Sequence, residues 1–397
     1  MQALEDMQAP APQAGLEQAA DILSRLIAFD TESSKSNLDL IAWVEAYLAG
    51  LGIASLRVPN AAGDKAALFA TIGPVVDGGV VLSGHSDVVP VEGQIWTGHP
   101  FTMRRDNGRI YGRGACDMKG FVAIVLAMAA EWKALPLQAP LHILISYDEE
   151  TTCLGPVDTI ARFGADLPRP RAVIVGEPTM MQVVDAHKAV ATYRTVVTGR
   201  EAHSSKPALG ANAVQGACEL VHELYRIGAD IAASSGANDR FDPPVSTVHV
   251  GTISGGTARN ILARECVFHW EFRALPGVPL DAARVRLDAY ARDVLLPRLR
   301  ETAPEADVVT ATEVEVPGLA PEPGSEAETL ALRLTKSNRT HAVAFATEGG
   351  RFQAGRVATV VCGPGSIDQA HQPDEYITEA QIEAGIAFMR DLGLAMC

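Results

Sequence analysis

The chain has little of what would mark a nucleic-acid binder, a membrane protein or a disulfide scaffold. Its 33 lysines and arginines are outnumbered by 48 aspartates and glutamates, for a formal net charge of -15. Phosphate backbones need a basic surface, so this balance argues against nonspecific nucleic-acid binding. No apolar run approaches the roughly 20 residues of a spanning helix. The opening MQALEDMQAPAPQAG lacks a basic segment followed by an apolar one, so no secretory signal is expected, and about residues 1–14 read as a loose tail. The six cysteines (Cys116, Cys153, Cys218, Cys266, Cys362 and Cys397) form no short-spaced pair. That suits reduced thiols in a cytoplasm better than a disulfide framework or a cysteine zinc site. There is no internal repeat.

What is present is an ordinary globular composition, 47% hydrophobic and 20% charged, in 397 residues. That length is too great for one comfortable core and predicts two domains. Three stretches organise the chain: GGVVLSGHSD at residues 78–87, GRGACDMKG at 112–120 and LHILISYDEE at 141–150. In each, an apolar run or a glycine turn ends in acidic or imidazole groups. Continuous Val/Leu/Ile runs read as strands of a sheet covered on both faces, and such sheets gather ligands at their carboxyl ends. His85, Asp87, Asp117, Glu149 and Glu150 are therefore expected to converge on one crevice. Imidazole with several carboxylates suits zinc or a similar divalent ion.

Helical spacing appears at residues 16–28, 38–51 and 121–132, and strands are read at 67–72, 80–83, 143–146 and 171–175. Their alternation predicts an α/β layer with a mostly parallel sheet. From about His187 the pattern changes. Strands at 191–198, 247–251, 266–273 and 308–316 surround helices at 213–227 and 280–299, the mark of a smaller inserted α+β domain. The Pro- and Gly-rich 317–324 reads as a return linker, followed by helix 326–334, strands 342–346 and 357–362, and helix 379–392. The expected division is 1–186 and 317–397 for the α/β domain, with 187–316 inserted.

Each candidate residue has a plainer reading. His85-x-Asp87 can be a loop histidine beside a capping aspartate, although a carboxylate often holds the second nitrogen of a ligating histidine. Asp117 before a helix can be an N-cap. Asp148-Glu149-Glu150 can be a solvated loop, but the preceding apolar strand places it where ligands collect. Three adjacent acids repel one another unless a cation neutralises them. One carboxylate can then bind metal while its neighbour serves as general base. Lys119 reads as a cation at the surface or just behind the ligands rather than a catalyst. Glu177 follows another strand end, and His371 lies in the loop DQAHQPDE.

SGHSDVVP, GRGACDMKG, YDEET, GEPT and GSIDQAHQPDEY, in this order, resemble the dinuclear-zinc amidohydrolases and exopeptidases that include acetylornithine deacetylase, succinyl-diaminopimelate desuccinylase, carboxypeptidase G and aminoacylase. The resemblance spans nearly the whole chain from about Leu16. It implies a zinc-exopeptidase-like α/β domain interrupted by an α+β lid and dimerisation domain, and a cytoplasmic homodimer. It implies two divalent ions per chain, zinc with cobalt or manganese as alternatives. His85 and Glu177 correspond to ligands of one ion, Glu150 and His371 to ligands of the other, and Asp117 to the bridging carboxylate. Asp87 corresponds to the partner that orients His85, and Glu149 to the general base. In the lid, His203 of REAHSSKP matches an oxyanion-stabilising histidine that reaches a neighbouring site. Asn260 of GGTARNI and Arg273 of HWEFR match substrate-holding residues. WTGHPFTMRRDNGRIYGRGACDMKGF and VVCGPGSIDQAHQPDEY are similar to the acetylornithine deacetylase branch, which implies hydrolysis of N-acetyl-L-ornithine. The sequence departs from the family pattern at ILAREC after Asn260, at Gly350 in TEGGRF and at Thr151-Thr152 after the glutamate pair, none of them a proposed ligand. A desuccinylase, a broader N-acyl amino acid deacylase, a metallo-exopeptidase or dipeptidase, and a scaffold without catalysis are the other readings.

Overall fold

The computed structural model describes residues 14–397, so the tail read over residues 1–14 lies, apart from Ala14, outside the described residues. Ala14 is buried, its N–H donating to Glu131 and its carbonyl accepting from Arg390. The chain divides into two compact units, Met1–Asp185 with Pro321–His341 and Thr347–Cys397, and Ala186–Ala320 with Ala342–Ala346.

The first unit is built on an eight-stranded sheet. Its centre is four parallel strands in the spatial order Leu141–Ser146, Val80–His85, Ala172–Pro178 and Thr359–Gly363. Every residue of these four strands is buried, which is why their sequences run apolar without alternation. Antiparallel strands Ser55–Pro59 and Ala66–Ile72 extend one side, and Val184–His187 and His341–Val343 the other. The fold is thus α/β with a mostly parallel centre. The helix Lys119–Lys133 is buried along most of its length and is packed by Leu16–Ile27 and Glu379–Ala395.

A close approach fixes the third central strand. A Cβ on Gly176 would lie 2.2 Å from the Phe121 ring, so only glycine lets this strand bring Glu177 down against the helix. A small third sheet was not foreseen. Arg104–Asp106 and Arg109–Tyr111 form a hairpin whose turn is Asn107-Gly108, both at positive φ, and Tyr376–Thr378 adds to it. The Asn-Gly pair was the available signal. This sheet brings the segment after His371 alongside the segment leading to Asp117.

The second unit is a four-stranded antiparallel sheet in the order Thr247–Gly255, Glu265–Ala274, Ala189–Thr198, Asp307–Val316. Burial alternates along the two inner strands, with Tyr193 stacked on Trp270 at 4.3 Å between ring centroids. Helix Ala213–Ser235 packs against this face. The single helix read over 280–299 is instead Ala282–Tyr290, a π-helical turn Ala291–Leu295, and Leu296–Arg300. Pro297 has no N–H to donate and its ring crowds the carbonyl four residues earlier, so the regular ladder cannot run through it. The strand read over 342–346 is only His341–Val343, at the sheet's end.

Candidate active site

Each of the four central parallel strands delivers acidic or imidazole side chains at its carboxyl end. His85 ends its strand, Glu149 and Glu150 follow Leu141–Ser146, Glu177 is next to last in Ala172–Pro178, and His371 follows Thr359–Gly363. Asp117 comes from the loop before helix Lys119–Lys133. The helix cap is Met118, and no side chain caps the helix, so Asp117 is not spent as an N-cap.

Asp117 stands at the middle. Its Oδ1 lies 3.0 Å from His85 Nε2 and its Oδ2 lies 3.4 Å from His371 Nε2. His371 Nε2 is also 3.0 Å from Glu150 Oε2, and His85 Nε2 is 3.7 Å from Glu177 Oε1. The structure therefore brings His85, Asp117, Glu149, Glu150, Glu177 and His371 together. Two compact groups within it have the geometry to hold a metal ion: His85, Glu149 and Glu177, and His85, Asp117 and Glu150. Glu149 is thus placed among candidate ligands as well as where a proton carrier would stand.

Asp87 departs from expectation. The Nδ1–H of His85 donates to the Asp87 main-chain carbonyl at 2.8 Å, while the Asp87 carboxylate is 3.6 Å away. That carboxylate instead accepts from the N–H groups of Glu149 and Glu150 at 3.2 and 3.3 Å, and from Ser33 Oγ at 2.6 Å. Asp87 orients His85 mainly through its backbone and fixes the glutamate loop with its side chain. The acidic triplet also divides. Asp148 turns away, at positive φ, to pair with Lys65, leaving two glutamates for the site.

The charges explain the titration behaviour. Burial would push the His85 imidazole down, but Asp117, Glu177, Glu149 and Asp87 outweigh it and hold it well above its ordinary range. Hydrogen bonds to Asp117 and Glu150 raise His371 to about 10. Burial and neighbouring carboxylates push Glu149 and Glu177 well up and Glu150 to about 7. Asp117 alone falls, because hydrogen bonds from His371 and His85 overcome its burial. Glu150 Oε1 and Glu177 Oε1 are buried without a hydrogen-bond partner. Unpartnered buried carboxylate oxygens are costly and in native proteins call for a specific explanation. A divalent cation supplies it, and this oxygen-and-imidazole set fits zinc-type coordination.

Sequence reasoning missed several supporting residues. Glu375, 1% exposed, accepts from the N–H groups of Gly114, Cys116 and Asp117 at 3.0, 2.9 and 3.0 Å, and from Arg113 Nη1 at 2.8 Å. Gly114 sits at φ +81, and a Cβ there would meet Val88 at 2.8 Å. Glu375 lies four residues after His371, inside the motif already singled out, and was given no role. Burial raises its carboxyl despite Arg113, so the pair serves position more than stability. Glu348 is buried beneath the cluster, its Oε2 3.2 Å from Ser83 Oγ, with a carboxyl raised by burial to about 7. Lys119 is a supporting cation and not a surface one: it is buried, donates to the Phe29 carbonyl at 2.8 Å, and is pushed by burial down to about 7.

The remaining sequence candidates belong to the second unit. His203 and Asn260 are exposed, on neighbouring segments tied by Ser204 N–H donating to the Asn260 carbonyl at 2.9 Å. Ser205 N–H donates to His203 Nδ1 at 3.2 Å, which makes Nδ1 an acceptor and leaves the neutral ring's hydrogen on Nε2. Arg273 is already paired with Glu271, at 2.9 and 3.3 Å.

Residues 81–394 match the model of peptidase family M20/M25/M40. The chain belongs to this family. Across nearly the full length of both chains, the fold of the M20 chain is similar to several solved structures. Aminopeptidase PepT from Bacillus cereus aligns with a TM-score of 0.74 at 16% identity, over 95% of this chain and 97% of that one. The M20 family metallo-carboxypeptidase Sso-CP2 from Sulfolobus solfataricus gives 0.74 at 16%, over 95% and 98%. The Bacillus subtilis YXEP protein, described as a dinuclear metal binding peptidase, gives 0.64 at 13%, over 96% and 98%. The M20 chain is accordingly a metallo-hydrolase of the peptidase and amidohydrolase type.

Proposed function

We propose that the protein hydrolyses the amide bond of an N-acyl amino acid, with N-acetyl-L-ornithine as substrate, releasing acetate and L-ornithine. Metal-dependent hydrolysis is supported most by Asp117, with one oxygen toward His85 and the other toward His371, between two glutamates that each leave a buried oxygen without a hydrogen-bond partner. The choice of acetylornithine rests on the likeness of WTGHPFTMRRDNGRIYGRGACDMKGF and VVCGPGSIDQAHQPDEY to the acetylornithine deacetylase branch. His85 and Glu177 would hold one divalent ion and Glu150 and His371 the other, with Asp117 shared and zinc favoured over cobalt or manganese. When bound, such ions supply positive charge that polarises an amide carbonyl and makes a nearby water more acidic.

The protein's own groups do the rest. Glu149, set by Asp87 through its backbone N–H, takes a proton from the attacking water and delivers it to the departing amine nitrogen as the C–N bond breaks. Burial raises its proton affinity, the direction that a group taking a proton from water requires. His203, with its hydrogen on Nε2, is the donor for the oxyanion. In this reading His203 is lent by a second copy through the second unit's lid role, in a cytoplasmic homodimer. Asn260 holds the substrate, and Arg273 grips its α-carboxylate by exchanging Glu271 for it.

A second reading is a metallo-exopeptidase or dipeptidase, favoured by the peptidase descriptions of the solved relatives. The deciding experiment assays purified protein on N-acetyl-L-ornithine, N-succinyl-diaminopimelate, other acetyl amino acids and dipeptides, beside metal analysis. Preference for acetylornithine by at least tenfold in kcat/KM supports the first reading. Preference for a dipeptide overturns it, and activity on none of these after zinc, cobalt or manganese addition removes both.

A further inference from the structure

The loop that carries Glu149 is closed from behind by a cysteine with no role in the chemistry so far. After strand Leu141–Ser146 the chain turns at Asp148 and again at Cys153, both at positive φ. The N–H groups of Thr152 and Cys153 both donate to the Asp148 carbonyl, at 2.9 and 2.8 Å. Arg351, from the helix Gly349–Ala354, donates to the carbonyls of Thr152 and Cys153 at 3.0 and 3.2 Å. Gly155 lets the exit fold back on Tyr147, since a Cβ there would lie 2.0 Å from the Tyr147 carbonyl oxygen. The loop is thus fixed at both ends.

This fixing presents the Cys153 thiol to Glu149. Cys153 is 3% exposed. Its Sγ lies 3.4 Å from Glu149 Oε1 and 3.3 Å from the Glu149 carbonyl oxygen. A thiol has one hydrogen to give, and a carboxylate is a stronger acceptor than an amide carbonyl. Burial, with Glu149 and Glu348 nearby, keeps the sulfur protonated and able to donate.

We infer that Cys153 is a positioning residue for Glu149: its S–H holds one carboxylate oxygen and leaves the other to carry the proton of the reaction. This rests on Glu149 being the proton carrier. A carboxylate that must first accept a proton and then surrender it gains from a weak donor. A strong donor such as lysine would fix the same oxygen and also depress its basicity. A thiol supplies direction at small cost in proton affinity. Holding the rotamer matters because a small misplacement of a reacting group costs much of the rate.

The test uses the full-length metal-loaded protein. Cys153→Ala removes the donor, Cys153→Val removes it while keeping the apolar volume, and Cys153→Ser keeps a donor in a smaller group. We expect kcat to fall about tenfold in Cys153→Ala and Cys153→Val, with KM and bound metal unchanged, as for loss of a hydrogen bond to a charged group. Cys153→Ser should recover most of the lost kcat. Recovery by Val and not by Ser would make the role one of packing and overturn the inference. Infrared difference spectra supply a readout that needs no substrate. The S–H stretching band lost in Cys153→Ala is assigned to Cys153, and it should shift in Glu149→Leu, which has no acceptor. An unshifted band overturns the inference whatever the substrate proves to be. Glu149→Gln separates the two claims. If it turns over like wild type, the proton-carrier reading fails. If it is inactive while all three Cys153 variants match wild type, only the positioning of Glu149 by Cys153 fails.

Discussion

Replacing Glu375 tests whether the site is held together from beneath. Glu375 supplies both carboxylate oxygens to four donors: three backbone N–H groups around Asp117 and the Arg113 guanidinium. Arg113 is itself 1% exposed, and its Nε already lacks a partner. Glu375→Ala therefore leaves a buried cation with only neutral acceptors, Gln94 and the Gln372 carbonyl, and strands three buried donors. Removing one partner of a buried ion pair costs about 3–5 kcal/mol. Each stranded donor would add about 1–3 kcal/mol if it stayed dry, but water entering the vacated space relieves part of this, so the ion-pair figure is the better guide. Glu375→Gln keeps an acceptor oxygen and should cost about half as much. Arg113→Met/Glu375→Gln removes both charges together and should be more stable than Glu375→Gln alone, a coupling that a double-mutant cycle reads directly. Urea unfolding followed by circular dichroism gives these values, first without metal and then with added zinc. Because Glu375 holds the N–H of Asp117, the gain in stability on adding zinc should shrink in Glu375→Ala. A Glu375→Ala protein within about 1 kcal/mol of wild type, with the full response to zinc, would refute the reasoning.

Glu149→Ala should keep its metal and lose about 10²–10⁴-fold in kcat, as metal analysis beside steady-state kinetics will show; near-wild-type turnover would mean the base is another residue. Mixing His203→Ala chains with Glu149→Ala chains should raise activity above either parent after subunit exchange, because each hybrid has one site with Glu149 intact and His203 lent by the other chain; verified hybrids without gain would place His203 within its own chain or outside the chemistry. Burial holds His142 and His187 neutral, pushed down to about 4 from 6.5. The unfolded chain takes up these protons first, so stability is fully present above about pH 6.5 and falls as pH drops toward 4, by about 3 kcal/mol for each group. His142 stacks on Phe69, so His142→Phe should flatten the acid side of the stability profile in denaturant titrations at pH 8 and pH 5, whereas an unchanged slope would mean that His142 titrates normally.

The parallel centre was legible because all four strands are buried and show as largely apolar runs, three of them closing directly on residues of the site. The inserted unit was legible from the return of alternation at residues 189–198 and 265–274. What escaped was whatever depends on backbone direction. Nothing in SGHSD reveals that His85 leans on the Asp87 carbonyl while the Asp87 carboxylate faces the glutamate loop. Nor does DEE reveal that its first acid turns away to Lys65, which needs the positive φ at Asp148. Glu375 stood in a motif already noticed. Its importance comes from three N–H groups of a distant loop, and main-chain donors have no side-chain signature.

The third sheet also sets an order of events. Asp117 and Glu375 stand 258 positions apart, and the whole second unit is encoded between them. At ordinary rates of synthesis that separation is on the order of tens of seconds. For most of that interval, once Glu177 has emerged, the chain carries His85, Asp117, Glu149, Glu150 and Glu177 without His371, and Asp117 without the carboxylate that holds its N–H. Carboxylates gathered without their full complement of cations repel one another. The set of His85, Asp117, Glu149, Glu150, Glu177 and His371 is complete only when the strand Tyr376–Thr378 docks beside Arg109–Tyr111. Completing the site and completing this small sheet are therefore one late step.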